Sequence, residues 1–300
     1  MKLLLVNLVL SVLCATNSSA QQVTLTFDDL PAHGPLPTGQ TRLQIANSIL
    51  TTLRDQNVPE VYGFINAAKL EKNPDDIAVL KAWRAAGQPL GSHTYSHPSL
   101  NDLTPAEFET EISRNEPVLS ALMAGQDWHW FRYPFLWEGD TIEKRRAVRA
   151  YLQQNGYKVA QVSLDFEDYL WNAPYARCVD MHDDKAIETL RTTYLSTADQ
   201  YITIFRDVTH TLYGRDIPYV LLLHIGAFDA KMLPDLIVLL RSRGFTFTSL
   251  PEAIKDAAYR EDPDIALKYG GAFQEHIVAA RHIQFPANSK PYKQLEATCR

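Results

Sequence analysis

The sequence has no surplus of basic charge. Its 29 Lys and Arg face 35 Asp and Glu, a formal charge of −6. No cation cluster supplies the footprint that nucleic acid or an anionic membrane requires. Long apolar runs are missing as well. The run over residues 3–15 is too short to span a bilayer. There is no internal repeat and no low-complexity stretch, and the 17 prolines are scattered rather than gathered in a linker. What remains, at 46% hydrophobic and 21% charged residues, is the composition of a soluble globular protein with one large domain. Nothing in it implies a protein partner.

Cysteine is scarce, and its placement is informative. The first 20 residues hold one Lys, then the apolar run, then small residues ending at Ala20. That order reads as a secretory signal peptide cut after Ala20, leaving 21–300 as a single catalytic domain. Acylation of Cys14 is the competing reading, but bulky Leu13 sits where a small residue is wanted. Export to the periplasm or the outside follows. Removal of the leader leaves Cys178 and Cys299, and an even pair in an oxidising compartment invites a disulfide. Such a bond would pin a motif-free tail, 256–300, onto a motif-bearing core of about 22–255.

Along the mature chain β-like and helical stretches alternate. VTLTFDD (23–29) alternates apolar and polar residues as a half-buried strand does, and VYGFIN (61–66) reads as a second strand. Between them Leu43, Ala46, Ile49, Leu50 and Leu53 form a helical stripe. DDIAVLKAWRAAG reads as a helix stopped by Gly87. Thr104, Pro105 and Glu107 make a capping box with proline at the first helical position, opening a helix toward Leu122. WHWFRYPF, VAQVSLDFED, YVLLLHIGA and FTFTSL supply further strands. With the strand entering Gly91 the count is about seven, which predicts an α/β protein with a mainly parallel sheet, a barrel of (β/α) units.

In such barrels chemistry gathers at the C-terminal ends of strands. The strand ends here carry Asp28 and Asp29, Arg132, Asp165 and Asp168, and His224, while His93 and His97 stand just past another. The strand bodies are nearly free of charge. His93 and His97 are four residues apart, a spacing that places two imidazoles on one side of a helical turn. The spacing alone does not separate metal ligands from two polar residues sharing a turn. Two His and one carboxylate would leave a position open on a zinc ion, the pattern of catalytic sites. The HExxH glutamate is absent, so a base has to come from elsewhere. Adjacent side chains on a strand diverge, so the Asp28–Asp29 pair can supply a ligand and a base together.

With these motifs in order, the chain resembles the polysaccharide deacetylases of carbohydrate esterase family four. The resemblance rests on Thr26-Phe27-Asp28-Asp29, His93-Thr94-Tyr95-Ser96-His97, Arg132-Tyr133-Pro134-Phe135, Asp165-Phe166-Glu167-Asp168-Tyr169 and Leu222-Leu223-His224. It implies a distorted (β/α)7 barrel, with Zn2+ or another divalent transition metal on Asp29, His93 and His97. It implies Asp28 as general base and His224 as general acid. Arg132 would lie against the base and Asp168 against the acid. The backbone N–H of Phe135 would serve the oxyanion, and Tyr169 would stand on the substrate side. The implied activity is removal of acetyl groups from an acetylated polysaccharide or oligosaccharide, with N-acetylglucosamine-type glycans preferred. Two departures stand out: Leu30-Pro31 follows the aspartates where the family has Gly, and Tyr169 replaces the commoner Trp.

Two other readings use the same residues: hydrolysis of a small non-peptide C–N bond such as a formamide or cyclic amide, and a non-catalytic carbohydrate-binding barrel. A matched base and acid argue against the second. His129, His182, His210, His276 and His282 lack ligand partners at spacing and read as surface or capping residues. His33, close after the first motif, is a candidate to line the site. Glu138 and Asp140 read mainly as part of a helix start. Trp128 and Trp130 read as core, and Trp171 and Tyr169 as candidates to stack on a sugar.

Overall fold

The computed structural model describes residues 21–286 and 290–300; the leader expected at 1–20 lies outside the described residues. Seven strands form one parallel sheet: β1 (Gln21–Leu30), β2 (Tyr62–Ile65), β3 (Leu90–Ser92), β4 (Trp130–Phe131), β5 (Lys158–Val159), β6 (Tyr219–His224) and β7 (Phe245–Phe247). Their order is β5-β4-β3-β2-β1-β6, with β7 paired to the start of β1. A bridge between Leu164 and Leu221 brings the chain after β5 onto β6 and curls the sheet toward closure. This is the (β/α) barrel that the strand count predicts, distorted as the resemblance implies.

Helices α1 (Arg42–Asp55), α2 (Lys69–Lys72), α3 (Ile77–Ala85), α4 (Pro105–Leu122), α5 (Ile142–Gln154), α6 (Asn172–Asp180), α7 (Asp184–Tyr213) and α8 (Ala227–Ser242) connect and flank these strands. Short helices α9 (Leu250–Ala253), α10 (Phe273–Ala280) and α11 (Tyr292–Ala297) follow. The capping box of Thr104 and Glu107 forms as expected and fixes the start of α4. Thr41 and Gln44 form a second one on α1. The buried stripe of α1 is Ile45, Ala46, Ile49, Leu50 and Leu53, while Leu43 sits off it. Among the described residues no helix is long and apolar enough to cross a membrane.

Three sequence expectations change in detail. Strand β1 is buried on both faces, because it lies inside the sheet and its polar residues point to the barrel interior. Thr26 Oγ1 there donates to the Leu221 carbonyl at 2.9 Å. WHWFRYPF contributes only Trp130 and Phe131 to the sheet; Pro134 offers no N–H to extend the ladder. Trp171 is a core residue rather than a sugar platform: its ring is 0% exposed and its Nε1–H donates to Thr193 Oγ1 at 3.0 Å. Cys178, in α6, and Cys299, after α11, are bonded to each other, with Cα atoms 5.2 Å apart.

Candidate active site

The end of β1 places two carboxylates differently. Asp28 stays in the ladder as the register partner of His224 on β6. The next residue, Asp29, adopts φ 68°, and the β1–β2 register shifts between Phe27 and Leu30. The left-handed turn of the backbone re-aims the second carboxylate away from the strand. A cis Leu30-Pro31 bond follows, at the departure noted in the sequence.

His93 and His97 do not share a helical turn. Thr94 and His97 both have positive φ, and side chains from outside hold the loop. Asn66 Nδ2 donates to the carbonyls of His93 (2.6 Å) and Thr94 (3.1 Å), and Glu111 Oε2 accepts from Ser96 N at 2.7 Å. The spacing nonetheless converges the two rings, 4.7 Å apart at 72°.

Ligand atoms of Asp29, His93 and His97 all lie within 4.8 Å of one another. The His93 Nδ1 bonds the Arg132 carbonyl oxygen at 2.8 Å, which leaves Nε2 as the free nitrogen of that ring. Burial holds the imidazoles of His93 and His97 down to about 3, so both are neutral donors at neutral pH. Burial alone would raise Asp29; the bond from His33 and the charge of Lys69 outweigh it and keep the carboxylate ionised. His33 Nδ1 lies 2.6 Å from Asp29 Oδ2, and Lys69 Nζ donates to Asp29 Oδ1 at 3.0 Å and to its carbonyl at 2.9 Å. Two neutral nitrogens and one anionic oxygen in a single cluster fit a divalent transition metal with an open position.

An ion pair and a histidine–carboxyl hydrogen bond flank this cluster. Arg132, buried in the sheet, donates from its NH1 to both Asp28 oxygens at 3.2 and 3.3 Å. Its Nε donates to the Ala160 carbonyl at 2.7 Å and its NH2 to Thr26 Oγ1 at 3.1 Å. Burial raises the Asp28 pKa and Arg132 opposes it; the net direction is up, toward a stronger base. On the other side the Nδ1 of His224 meets Asp168 Oδ1 at 2.7 Å, and its backbone N–H donates to Asp168 Oδ2 at 2.7 Å.

Asp168 faces Asp229, in the first turn of α8, and burial pushes both acids up. Asp229 accepts from Asn172 Nδ2 (2.6 Å) and Tyr194 OH (3.3 Å).

These groups open onto a cavity of about 580 Å3. Phe135, 52% exposed, stands edge-on to His97 at 4.5 Å between centroids. Tyr169, 38% exposed, lies 5.2 Å from the His224 ring. His33 lies 4.7 Å from the His224 ring and 6.0 Å from that of Tyr169, so it does line the site. Asp165 lines it as well.

The structure thus gathers every residue that the motifs single out, and adds Lys69, Asp229 and Glu275, which sequence reading missed. No local signal marks Lys69 or Asp229; each arrives from a helix start. His276 is buried rather than at the surface, since α10 packs against the residues following β5. His182, His210 and His282 are exposed as expected.

With that geometry in view, residues 15–160 match the family model described as polysaccharide deacetylase. Through this segment the chain is similar to the polysaccharide deacetylase family. It is 30% identical over 148 residues to a peptidoglycan-N-acetylglucosamine deacetylase of Bacillus cereus, covering 49% of this chain and 46% of that protein. It is 29% identical over 157 residues to a chitin deacetylase of Colletotrichum lindemuthianum, covering 51% and 54%. The chain therefore spans about half the length of these curated relatives.

The solved chitin deacetylase of Colletotrichum lindemuthianum superposes with a TM-score of 0.54 at 22% identity, covering 80% of this chain and 90% of that one. A CE4-family pseudoenzyme from Bacillus anthracis also reaches 0.54, at 16% identity, covering 79% and 66%. These likenesses establish the fold. Since a pseudoenzyme shares it, activity has to be argued from the site.

Proposed function

We propose that the protein is an exported, metal-dependent hydrolase that removes acetyl groups from an acetylated glycan, with N-acetylglucosamine units preferred. The observation that carries this reading is one cavity in which the Asp29, His93 and His97 cluster lies between two supported groups, Asp28 on Arg132 and His224 on Asp168. A binding barrel has no use for that pairing. The names of the similar deacetylases support acetylated glycans as the substrate class. Export rests on the N-terminal leader pattern and on the Cys178–Cys299 bond.

Asp29, His93 and His97 would hold the ion, with Zn2+ suiting an N/N/O donor set. When bound, such an ion supplies Lewis acidity, activating water and polarising the acetyl carbonyl. Asp28 takes the proton of the attacking water, and Arg132 holds its carboxylate in place. The backbone N–H of Phe135 donates to the developing oxyanion, a contact that gains strength as charge forms. An amine leaves poorly unless protonated, so His224 gives its proton to the sugar nitrogen while Asp168 stabilises the imidazolium. Tyr169 and Phe135 face the sugar from opposite sides.

Acetate release from acetylated chitin oligomers, peptidoglycan fragments and acetylated xylan, measured with Zn2+ and after chelation, tests the proposal. Metal-dependent acetate release from at least one is expected. No acetate from any glycan, with hydrolysis of formamides or cyclic amides instead, would replace it with the small-amide reading.

A further inference from the structure

Part of the cavity wall comes from a segment that carries none of the family's motifs. After α9 the chain is tied down at Asp262, which accepts from Arg145 NH2 at 2.6 Å, and at the Lys268 carbonyl, which accepts from Asn101 Nδ2 at 2.6 Å. Tyr269 then packs on Trp137 at 5.5 Å between centroids, and Trp137 on Phe135 at 5.2 Å.

Gly270 follows with its backbone pressed onto the Phe135 turn. A Cβ there would fall 1.9 Å from the Leu136 carbonyl oxygen, so no other residue permits this approach. The chain then crosses the open side of the barrel, where Phe273 N–H donates to the Val162 carbonyl and Gln274 Nε2 to that of Ser163. It ends on the opposite side of the site, where Lys290 and Tyr292 both bond Glu167, two residues before Tyr169.

Residues 269–286, together with Lys290, therefore line the cavity from the Phe135 side to the Tyr169 side. An interior unit of a long glycan needs free passage beyond both neighbours, whereas a terminal unit needs it on one. A cavity of about 580 Å3 is the size of a small-molecule pocket. We propose that residues 269–286, together with Lys290, make the site a dead-end pocket, so that the enzyme deacetylates a terminal sugar of a short acetylated oligosaccharide or chain end rather than interior units of a polymer.

This rests on the deacetylase reading above and names its substrate class. Within it Tyr269 is a specificity-determining residue and Gly270 a positioning residue. Glu275, which also lines the pocket, is pushed up by burial to about 7 and so offers a partly protonated carboxyl to sugar hydroxyls at neutral pH.

The test uses the full mature chain, oxidised and saturated with Zn2+. Its substrates are a defined N-acetylglucosamine tetramer and a soluble acetylated chitin polymer. Mass-spectrometric sequencing of the tetramer locates each freed amine, and kcat and KM are measured for both substrates.

The expected result is a freed amine confined to a terminal unit, with kcat/KM per acetyl group on the polymer lower by about tenfold or more. Tyr269→Ala, which removes a ring that is 63% exposed and so spares the fold, should admit interior units and raise KM for the tetramer with kcat little changed. Gly270→Ala should do the same by lifting the segment off Leu136. Interior units freed by the wild type as fast as terminal ones, or an unchanged positional profile in Tyr269→Ala, would overturn the inference and leave the deacetylase reading standing. Zn2+-loaded protein that releases no acetate from any glycan would instead remove the deacetylase reading itself, and this inference with it.

Discussion

Asp28 and His224 are the last paired residues of the β1–β6 ladder, side by side on adjacent parallel strands. The groups assigned as base and acid are thus set by sheet register, not by loops. A one-residue slip would turn one of them to the other face, so the ladder itself enforces their relation. Each has a buried partner of opposite character, Arg132 for Asp28 and Asp168 for His224.

Base and ligand roles separate in two substitutions. Asp28→Asn should lower kcat by about 10²-fold to 10⁴-fold at every pH and keep metal content, since the Asp29, His93 and His97 cluster stays intact. His97→Ala should lose metal and activity together while the circular dichroism spectrum is retained. Metal analysis of both purified variants decides this, and an unchanged stoichiometry in His97→Ala would remove that residue from the ligand set.

Asp168→Asn should keep the fold but cut kcat/KM by about 10²-fold or more, through loss of a charge that stabilises the imidazolium. The amide oxygen would still accept from the His224 backbone N–H, which turns the NH2 toward Nδ1 and changes the tautomer. Nitrogen-15 chemical shifts of the His224 ring report that change without reference to rate. Wild-type ring shifts in the variant would leave Asp168 as a structural residue only.

The metal-free protein should lose stability as pH falls from about 6.5 toward 3. His93 is held down to about 3 by burial, so in that window the unfolded chain binds a proton that the folded chain refuses. Stability from this group is therefore complete above the unfolded value and lost on acidification, with a slope of up to about 1.4 kcal/mol per pH unit. The buried acids Asp168 and Asp229, raised in the fold, act with the opposite sign, so the comparison is made between wild type and His93→Asn. Urea unfolding at several pH values should show the variant with the shallower dependence; parallel curves would contradict the assignment.

Cys178→Ala with Cys299→Ala should lower stability by roughly 4–5 kcal/mol in the chain-entropy model, because the bond closes a separation of 121 residues. The tail should become the first site of proteolysis, although Arg177 still donates to the carbonyls of Thr298 (2.8 Å) and Cys299 (3.2 Å). Limited digestion followed by mass spectrometry reads this out. A digestion pattern identical to that of the wild type would show that the bond is not what holds the tail.

What the sequence by itself determined is local and periodic. Alternation of strands and helices, the capping box at Thr104 and the ionisable residues at strand ends are properties of neighbouring residues. They were enough to indicate the barrel, a His and carboxylate ligand set and a base from the Asp28–Asp29 pair, while the acid role of His224 came only from the resemblance to a family. The Cys178–Cys299 pairing was legible for a different reason, since two cysteines left after the leader have only one partner each. Tertiary structure decided what depends on approach over long separations. Lys69 reaches Asp29 across 40 residues and Asp229 reaches Asp168 across the start of α8, with no signal in either segment. Trp171 reads as a platform beside Tyr169, yet the packing of α7 buries its ring, because residues two apart in a 3-10 turn point to different sides. The convergence of His93 and His97 came from Asn66 and Glu111 bracing a left-handed loop, not from a helical period. The tail shows the limit most plainly: whether residues without a motif form a wall over the site depends on a backbone contact such as Gly270 on Leu136, which only the folded chain creates.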